Sequence, residues 1–188
     1  MSVLPILAYG DPVLKAKALP IEKDYPDLDL LISNMWETMY KASGVGLAAP
    51  QVGKSIRLFI IDASPFGDEE AELADFKQVF INAEIIKSSG KEYPFNEGCL
   101  SFPELREDIR RPPVIKMRYQ DESFSTHEET FSGLKARIIQ HEYDHIDGVL
   151  MIDRITPLKK TLLKRKLQNI SKGNVSVDYL MRFPLRKR

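Results

Sequence analysis

Residues 141–145 are His141-Glu142-Tyr143-Asp144-His145, and they lie in a segment, 132–146, whose apolar spacing and flanking residues predict an α-helix. Helical side chains four positions apart share one face, so the two imidazoles can hold one metal ion. The glutamate beside the first histidine can then reach a water on that ion, whose pKa a divalent metal lowers to ~7. The stretch therefore predicts a fold organised around a metal-binding helix.

The third metal ligand decides which class of metal site this is. One large class of H-E-x-x-H enzymes uses a downstream glutamate and another uses a third histidine, but no Glu or His follows His145 here. Aspartates do remain downstream, at positions 147, 153 and 178, and none extends either motif. Upstream, Cys99 is the obvious candidate, and a Cys/His/His set leaves the fourth position open for water, as in catalytic sites. The alternative for a lone cysteine is a small buried hydrophobic residue.

A second unusual stretch, residues 44–51, is Gly-Val-Gly-Leu-Ala-Ala-Pro-Gln, which formally fits the dinucleotide fingerprint G-x-G-x-x-A. A predicted helix precedes it, however, and Pro50 stands where the next helix would have to grow, so the context excludes nucleotide binding. A tight glycine turn that brings the backbone close to a ligand remains.

Together with residues 97–101 (Glu-Gly-Cys-Leu-Ser), these segments resemble the peptide deformylases. The family motifs G-x-G-x-A-A-x-Q, E-G-C-x-S and H-E-x-D-H are all complete and in that order. The likeness also includes residues 9–14 and 148–150 and spans roughly 4–156. It implies a metal-dependent hydrolase that removes the formyl group from the N-terminal formyl-methionine of newly made polypeptides and releases formate.

The resemblance also implies roles for individual residues. The expected metal ligands are Cys99, His141 and His145. Iron(II) is typical of the family, and zinc, nickel or cobalt also suit these donors. Glu142 would take a proton from the attacking water and deliver it to the leaving amine. The Gln51 side-chain amide and the Leu100 backbone N–H would stabilise the oxyanion together with the metal; a surface position is the alternative for Gln51.

The family binds its peptide in extended form beside a strand, with the methionine side chain in an apolar pocket. The implied pocket walls are Val45, Phe95, Leu134 and Ile138, each of which could equally be plain core. The Gly46 backbone is the implied peptide partner, and Arg106 matches a position that can hold a substrate carbonyl or carboxylate, with a surface role as the alternative. Arg137 lies four residues before His141, so its aliphatic stem could also line the pocket.

Two further polar residues have open interpretations. Asp144 is retained in the family motif, where it could fix a ligand imidazole or lie on the helix surface. His127 lies in a predicted polar strand, and we expect it to be exposed.

The predicted order of elements is helix, many strands, helix, helix, which indicates an α+β fold of mostly antiparallel sheets packed around the metal-binding helix. A first helix is expected over about residues 24–43, with Pro26 in its first turn and Gly44 at its stop. The expected extended and loop segments are strands at 57–62, 79–86 and 114–119, a turn at 121–123 before another strand, and an acidic surface loop at 64–77. A last helix over 156–170 carries an apolar stripe that should dock on the body: Leu158, Leu162, Leu163, Leu167 and Ile170.

Length and composition limit the classes of protein. The chain has 188 residues, 43% hydrophobic and 29% charged, which favours one globular catalytic domain over 1–188 and excludes global disorder. No stretch approaches the ~18–20 apolar residues of a membrane span, and residues 1–6 lack the pattern of a secretory signal. With one cysteine, these features favour a reducing cytosol and no membrane partner, and the resemblance implies a bacterial-type cytoplasmic enzyme without a DNA partner.

Zero net charge conceals an asymmetry, because ten of the 27 basic residues but only one of the 27 acidic residues lie in the helix and tail 157–188. Such a basic segment could contact ribosomal RNA, or it could only balance the acidic body.

Two other functions compete with the deformylase hypothesis. A zinc metallopeptidase that cleaves internal amide bonds needs a conventional third ligand, which the downstream sequence lacks. A catalytically silent relative that binds nascent peptides or the ribosome would be expected to have lost the ligands or the glutamate, and all are retained.

Overall fold

The computed structural model describes residues 2–185. Its four α-helices are α1 (Leu28–Lys41), α2 (Gly133–Ile146), α3 (Pro157–Leu162) and α4 (Lys164–Lys172). Its nine strands are β1 (Ile6–Leu7), β2 (Gly46–Ala48), β3 (Leu58–Asp62), β4 (Lys77–Ser89), β5 (Tyr93–Gly98), β6 (Arg106–Arg111), β7 (Val114–Gln120), β8 (Thr126–Ser132) and β9 (Met181–Arg182).

The strands form one larger sheet and two pairs. An antiparallel sheet has the order β2-β3-β4-β7-β8, with β2 and β8 at its edges. β5 and β6 form an antiparallel hairpin, and β1 pairs in parallel with β9. The predicted α+β class with mostly antiparallel sheets is confirmed.

Helix α2 packs its apolar side into the core of the larger sheet. Ala136, Ile139 and Ile146 of the helix are fully buried in one cluster with Phe59 and Phe80 of the sheet. Burying the apolar face fixes the rotation of α2 about its axis, so the opposite, polar side that carries the histidines has a fixed direction.

The first helix is shorter than the sequence predicts. It begins at Leu28, after Asp27 in a left-handed conformation (φ 55°), so Pro26 lies in the preceding turn and not in the first helical turn. At the other end Ser43 has the positive φ (52°), so Gly44 is not the residue that stops the helix. The predicted apolar stripe is nevertheless buried, with Met35 and Met39 fully so.

The predicted strands are present, with β4 extending further in both directions than expected. The predicted acidic loop before β4 contains two short 3₁₀ turns, and its Leu73 is fully buried. Sequence analysis does not identify the β5–β6 hairpin, because its strands are rich in charged and polar residues.

The prediction of one docked helix over 156–170 is wrong. Thr156 caps the start as expected, but the chain turns at Leu163 and separates α3 from α4. Leu167 and Ile170 of α4 are buried, whereas Leu158 and Leu162 of α3 are 71% and 75% exposed. The periodic pattern shows which residues share a face, but it does not locate a turn that directs half of that face to solvent.

Three of the basic residues counted in the tail, Arg186, Lys187 and Arg188, lie outside the described residues. Among residues 2–185, no helix combines the length and apolar character that crossing a membrane requires.

Candidate active site

The three predicted metal ligands come together from two elements. The donor atoms of Cys99, His141 and His145 all lie within 4.8 Å of one another, and Cys99 Sγ is 3.3 Å from His145 Nε2. Bond lengths of about 2.0–2.3 Å and tetrahedral angles place such donors roughly 3.3–3.6 Å apart, so the cluster fits one metal ion. Burial lowers the pKa of His145 well below its usual value, which keeps the ring neutral, as metal binding requires.

A buried carboxylate orients the first histidine. His141 Nδ1 donates to Glu97 Oε2 at 2.9 Å, which leaves Nε2 directed at the cluster. Burial lowers the pKa of His141, but its hydrogen bonds to Cys99 and Glu97 outweigh burial and the net direction is upward. Sequence analysis assigns no role to Glu97; the available signal is its place at the start of the E-G-C-x-S motif, two residues before Cys99.

Glu97 is itself held by two arginines. Arg111 donates to both of its carboxylate oxygens at 2.7 and 2.9 Å, and Arg137 donates to Oε1 at 3.1 Å. All three side chains are at least 94% buried. Burial raises the pKa of Glu97, but the hydrogen bonds from His141 and Arg111 outweigh it and bring the pKa to about 2. The carboxylate is therefore charged under all ordinary conditions.

Asp144 neither binds an imidazole nor lies on the surface. It is 5% exposed, accepts from Arg111 at 2.7 Å and from Arg154, and so holds the far side of the Arg111 guanidinium. Both sequence interpretations of Asp144 are corrected: it supports a ligand histidine indirectly, through Arg111 and Glu97.

Glu142 has a different environment from Glu97. It is 4% exposed, and within residues 2–185 its Oε2 has no hydrogen-bond partner. Burial raises its pKa to about 7. A Cβ at Gly46 would lie 2.4 Å from Glu142 Oε1, so the glycine is required for the carboxylate to occupy this position beside β2. The predicted close approach of the glycine-rich turn is to this carboxylate.

Gln51 and Leu100 both lie beside Cys99. Gln51 is 2% exposed, so a surface position is excluded. Its Oε1 accepts from the Ala48 N–H at 2.8 Å, which directs Nε2 toward Cys99 Sγ at 3.7 Å and Ser101 Oγ at 3.4 Å. In the described part of the chain, the Leu100 N–H donates to no acceptor.

These groups open onto a cavity of about 470 Å³. All six predicted substrate-binding residues line it: Val45, Gly46, Phe95, Arg106, Leu134 and Ile138. Val45, Leu134 and Ile138 also contact the core cluster under α2, so they are both core and cavity wall. Arg106 donates to the side chain and carbonyl of Asn96 at 2.8 and 2.6 Å, which holds its guanidinium at the cavity rim.

Arg137 lines the cavity as expected from its place on α2, and its charged end is turned away into Glu97 and the carbonyls of Tyr93 and Ile109.

His127 lies away from the site; its side chain is 38% exposed, stacks on Tyr119 and contacts Asp121, so it is less exposed than predicted.

Comparison with known proteins agrees with the motifs. A family model for polypeptide deformylase matches residues 3–161. A peptide deformylase of Christiangramia forsetii is 58% identical, over 99% of this chain and 98% of its own length. Among solved structures, the peptide deformylase of Thermotoga maritima is 42% identical with a TM-score of 0.74, covering 82% of this chain and 99% of that one. The peptide deformylase of Legionella pneumophila is 37% identical with a TM-score of 0.79, covering 92% and 97%.

Proposed function

The chain belongs to the peptide deformylase family, metal-dependent hydrolases that remove the N-formyl group from newly made polypeptides, and we propose that its Cys/His/His cluster holds the metal while Glu142 moves the proton. The observation that carries this division of roles is the convergence of three donor atoms within 4.8 Å beside the buried carboxylate of Glu142, whose Oε2 has no hydrogen-bond partner among the described residues. The donors come from α2 and from the loop after β5, and Glu142 lies next to His141 on the same helix.

Glu142 suits proton transfer in both directions. A bound metal supplies polarisation that lowers the pKa of a water molecule to ~7. A carboxylate whose own pKa is about 7 can accept a proton from that water and give it to the leaving amine nitrogen. Its carboxylate oxygen without a partner is free to make these contacts, whereas Glu97 is occupied by its arginines.

Gln51 and Leu100 are placed to donate hydrogen bonds to the formyl oxygen as it gains negative charge. The Gln51 amide is fixed by its bond to Ala48, so its Nε2 needs no reorganisation during the reaction. The Leu100 N–H belongs to the residue after Cys99, which places a second donor beside the same ligand. Removing one such donor costs ~100- to 1000-fold in turnover in other enzymes.

The extended peptide is proposed to bind along β2. This strand is an edge of the five-stranded sheet, and Gly46 lies both in it and in the cavity wall. An edge strand offers unpaired backbone groups to an extended peptide. Val45, Phe95, Leu134 and Ile138 then enclose the methionine side chain, and Arg106 at the rim is near the peptide beyond it.

We propose iron(II) as the metal in the cell, with zinc, nickel or cobalt able to occupy the same thiolate and imidazole donors. The test is anaerobic purification, metal analysis and a formate-release assay on a formyl-methionyl peptide. Cys99→Ser should lose metal and activity together. Unchanged metal content and activity in Cys99→Ser would show that Cys99 is not a ligand.

The substrates are newly made polypeptides, so we place the enzyme in the bacterial cytoplasm and propose that its basic C-terminal region contacts ribosomal RNA. Lys164 and Arg165 of α4 are exposed, as are Leu158 and Leu162 of α3. Other cations of this region contact the protein itself: Lys159 pairs with Glu107 and Lys160 with Asp153.

Ribosome co-sedimentation across a salt series tests this contact. A variant with Glu in place of Lys164, Arg165 and Lys166 should bind ribosomes more weakly. Its binding should also depend less on salt, because phosphate contacts weaken steeply with salt. The control is a variant with Glu in place of Lys116 and Arg118, which are two exposed cations on β7. Equal binding by all variants, or none by any, would remove RNA contact and leave the chemistry unaffected.

A further inference from the structure

The loop that carries Cys99 has three successive backbone carbonyls, and each accepts a hydrogen bond from a different part of the chain. The Cys99 carbonyl accepts from the Phe102 N–H at 2.8 Å within the loop itself. The Ser101 carbonyl accepts from the Tyr9 N–H at 2.9 Å. The Leu100 carbonyl, between them, accepts from the Tyr179 hydroxyl at 2.9 Å. The peptide plane that follows Leu100 is thus held by a side chain nearly eighty positions further along, and the plane that precedes it, which carries the Leu100 N–H, is held within the loop.

Tyr179 lies outside residues 3–161 to which the family model corresponds. It is brought to the site by a segment that is anchored on both sides. Before it, the Ser171 hydroxyl donates to the Tyr9 carbonyl at 2.8 Å. After it, β9 pairs with β1, with Met181 opposite Ile6. The segment is therefore fixed against the body on each side of Tyr179.

The Tyr179 side chain also forms part of the substrate cavity, beside Leu100 and Pro103. Burial, the nearby Cys99 thiolate and Asp178 raise the pKa of Tyr179, so its hydroxyl keeps its proton and can only act as a donor to the Leu100 carbonyl at neutral pH. The ring packs with the core cluster around α1, to which Leu100 also belongs.

We propose that Tyr179 is a positioning residue for deformylation. Its bond to the Leu100 carbonyl holds the peptide plane after Leu100, while the bond from the Phe102 N–H to the Cys99 carbonyl holds the plane that carries the Leu100 N–H. With both planes held, the loop keeps the conformation that directs the Leu100 N–H toward the substrate's formyl oxygen. The inference rests on the oxyanion role proposed above for Leu100. A donor that must point at a developing charge gains from being fixed beforehand, because any reorientation during the reaction adds to the barrier. The residues beyond the matched family region would then contribute to turnover, and not only to folding.

The test is Tyr179→Phe, which removes the hydroxyl and keeps the ring. We expect kcat per metal-loaded site to fall about 3- to 10-fold, the effect of one hydrogen bond, while KM and metal content stay within twofold of wild type. A role in folding alone would lower the melting temperature and leave kcat per loaded site unchanged. Tyr179→Leu, which also removes the ring from the cavity wall, should lose at least as much kcat and raise KM in addition.

Tyr119→Phe is the matched control, since that hydroxyl donates to Glu129 at 2.8 Å and does not line the cavity. It should leave kcat and KM unchanged. Wild-type kcat per loaded site in Tyr179→Phe would overturn the inference. Glu142→Gln is measured alongside: if it is inactive while Tyr179→Phe is fully active, only the inference fails, whereas an active Glu142→Gln contradicts the proposed roles of the site.

Discussion

Two buried glutamates on either side of His141 have opposite environments. Glu97 and Glu142 are 6% and 4% exposed, so burial raises the pKa of both. Glu97 also receives hydrogen bonds from His141 and Arg111, which bring its pKa down to about 2, and a further one from Arg137. Glu142 has one carboxylate oxygen without a partner in the described structure, and its pKa is about 7. Burial decides the direction of the shift for Glu142, whereas hydrogen-bonded partners reverse it for Glu97.

The difference separates support from chemistry. A carboxylate with every oxygen occupied keeps its charge and its position, which suits a group that orients a ligand imidazole. A carboxylate with a raised pKa and a free oxygen exchanges protons near neutral pH, which suits a general base. The predictions below test whether the two glutamates divide the work in this way.

The largest effect is expected for Glu142→Gln on turnover. The amide is nearly isosteric but cannot accept the water proton, so kcat should fall about 100- to 10,000-fold, with metal content unchanged because all three ligands remain. Formate release and metal analysis on the same preparation check this. Near-normal turnover would show that Glu142 is not the base.

Glu97→Gln should act on the metal and on folding. The His141 ring loses its charged acceptor, and metal affinity should fall about 10- to 100-fold. The buried arginines Arg111 and Arg137 lose a charge, which should lower the free energy of unfolding by about 3–5 kcal/mol. Metal competition with a chelator and urea unfolding measure the two effects. Tight metal binding in a stable Glu97→Gln protein would contradict the supporting role.

The pH dependence of stability should have opposite sign for the two groups. The folded pKa of Glu142, about 7, lies above its ordinary value of 4.5, so the unfolded chain releases the proton first and stability falls as pH rises from about 4.5 to 7. Chelator-treated Glu142→Gln should therefore exceed wild type by about 3 kcal/mol at pH 8 and match it at pH 4. Urea unfolding at both pH values gives the comparison. A constant difference would contradict the raised pKa.

For Glu97 the folded pKa of about 2 lies below the ordinary value of 4.5. Its stabilisation is present above pH 4.5 and is lost as pH falls toward 2. Wild type should therefore lose stability over this acid range, and the loss should be smaller in Glu97→Gln, as followed by circular dichroism.

The smallest effect is expected for Arg154, the most exposed residue of the ionic network around Arg111 and Asp144. The Arg154 side chain is 37% exposed, whereas that of Arg111 is 1% exposed, and both bind Asp144. Arg154→Ala should cost about 1 kcal/mol or less and leave kcat unchanged. Thermal unfolding and formate release measure these two effects. A loss of stability as large as that of Glu97→Gln would show that Arg154 matters to the network as much as its buried members do.

Much of the site follows from spacing along the chain. The two histidines and Glu142 could be predicted because one helical turn brings them together, and Cys99 because the motif provides no other ligand downstream. Glu97 could not be assigned in the same way, since its partner Arg111 comes from β6 and the β5–β6 hairpin has no apolar alternation to reveal it. The packing of α2 also determines that Asp144 faces Arg111 and not an imidazole.

The last part of the fold was harder to predict for a different reason. The apolar spacing over 156–170 is regular, yet Leu167 and Ile170 of α4 are buried while α3 is exposed, because the chain turns at Leu163. The apolar spacing itself gives no sign of that turn. The contact of Tyr179 with Leu100 likewise depends on tertiary folding and has no local sequence signal.

The pairing of β1 with β9 joins two segments that lie far apart in the sequence. Ile6 is translated long before its parallel partner Met181. Contacts between such distant positions form late, since most of the chain must be ordered before the two meet. Until the two strands pair, Tyr179 is not held beside the Leu100 carbonyl, so we expect the hydrogen bond between them to form late in folding. The loop that carries Cys99 would therefore reach its final hydrogen bonding only after the residues of β9 have been translated and paired.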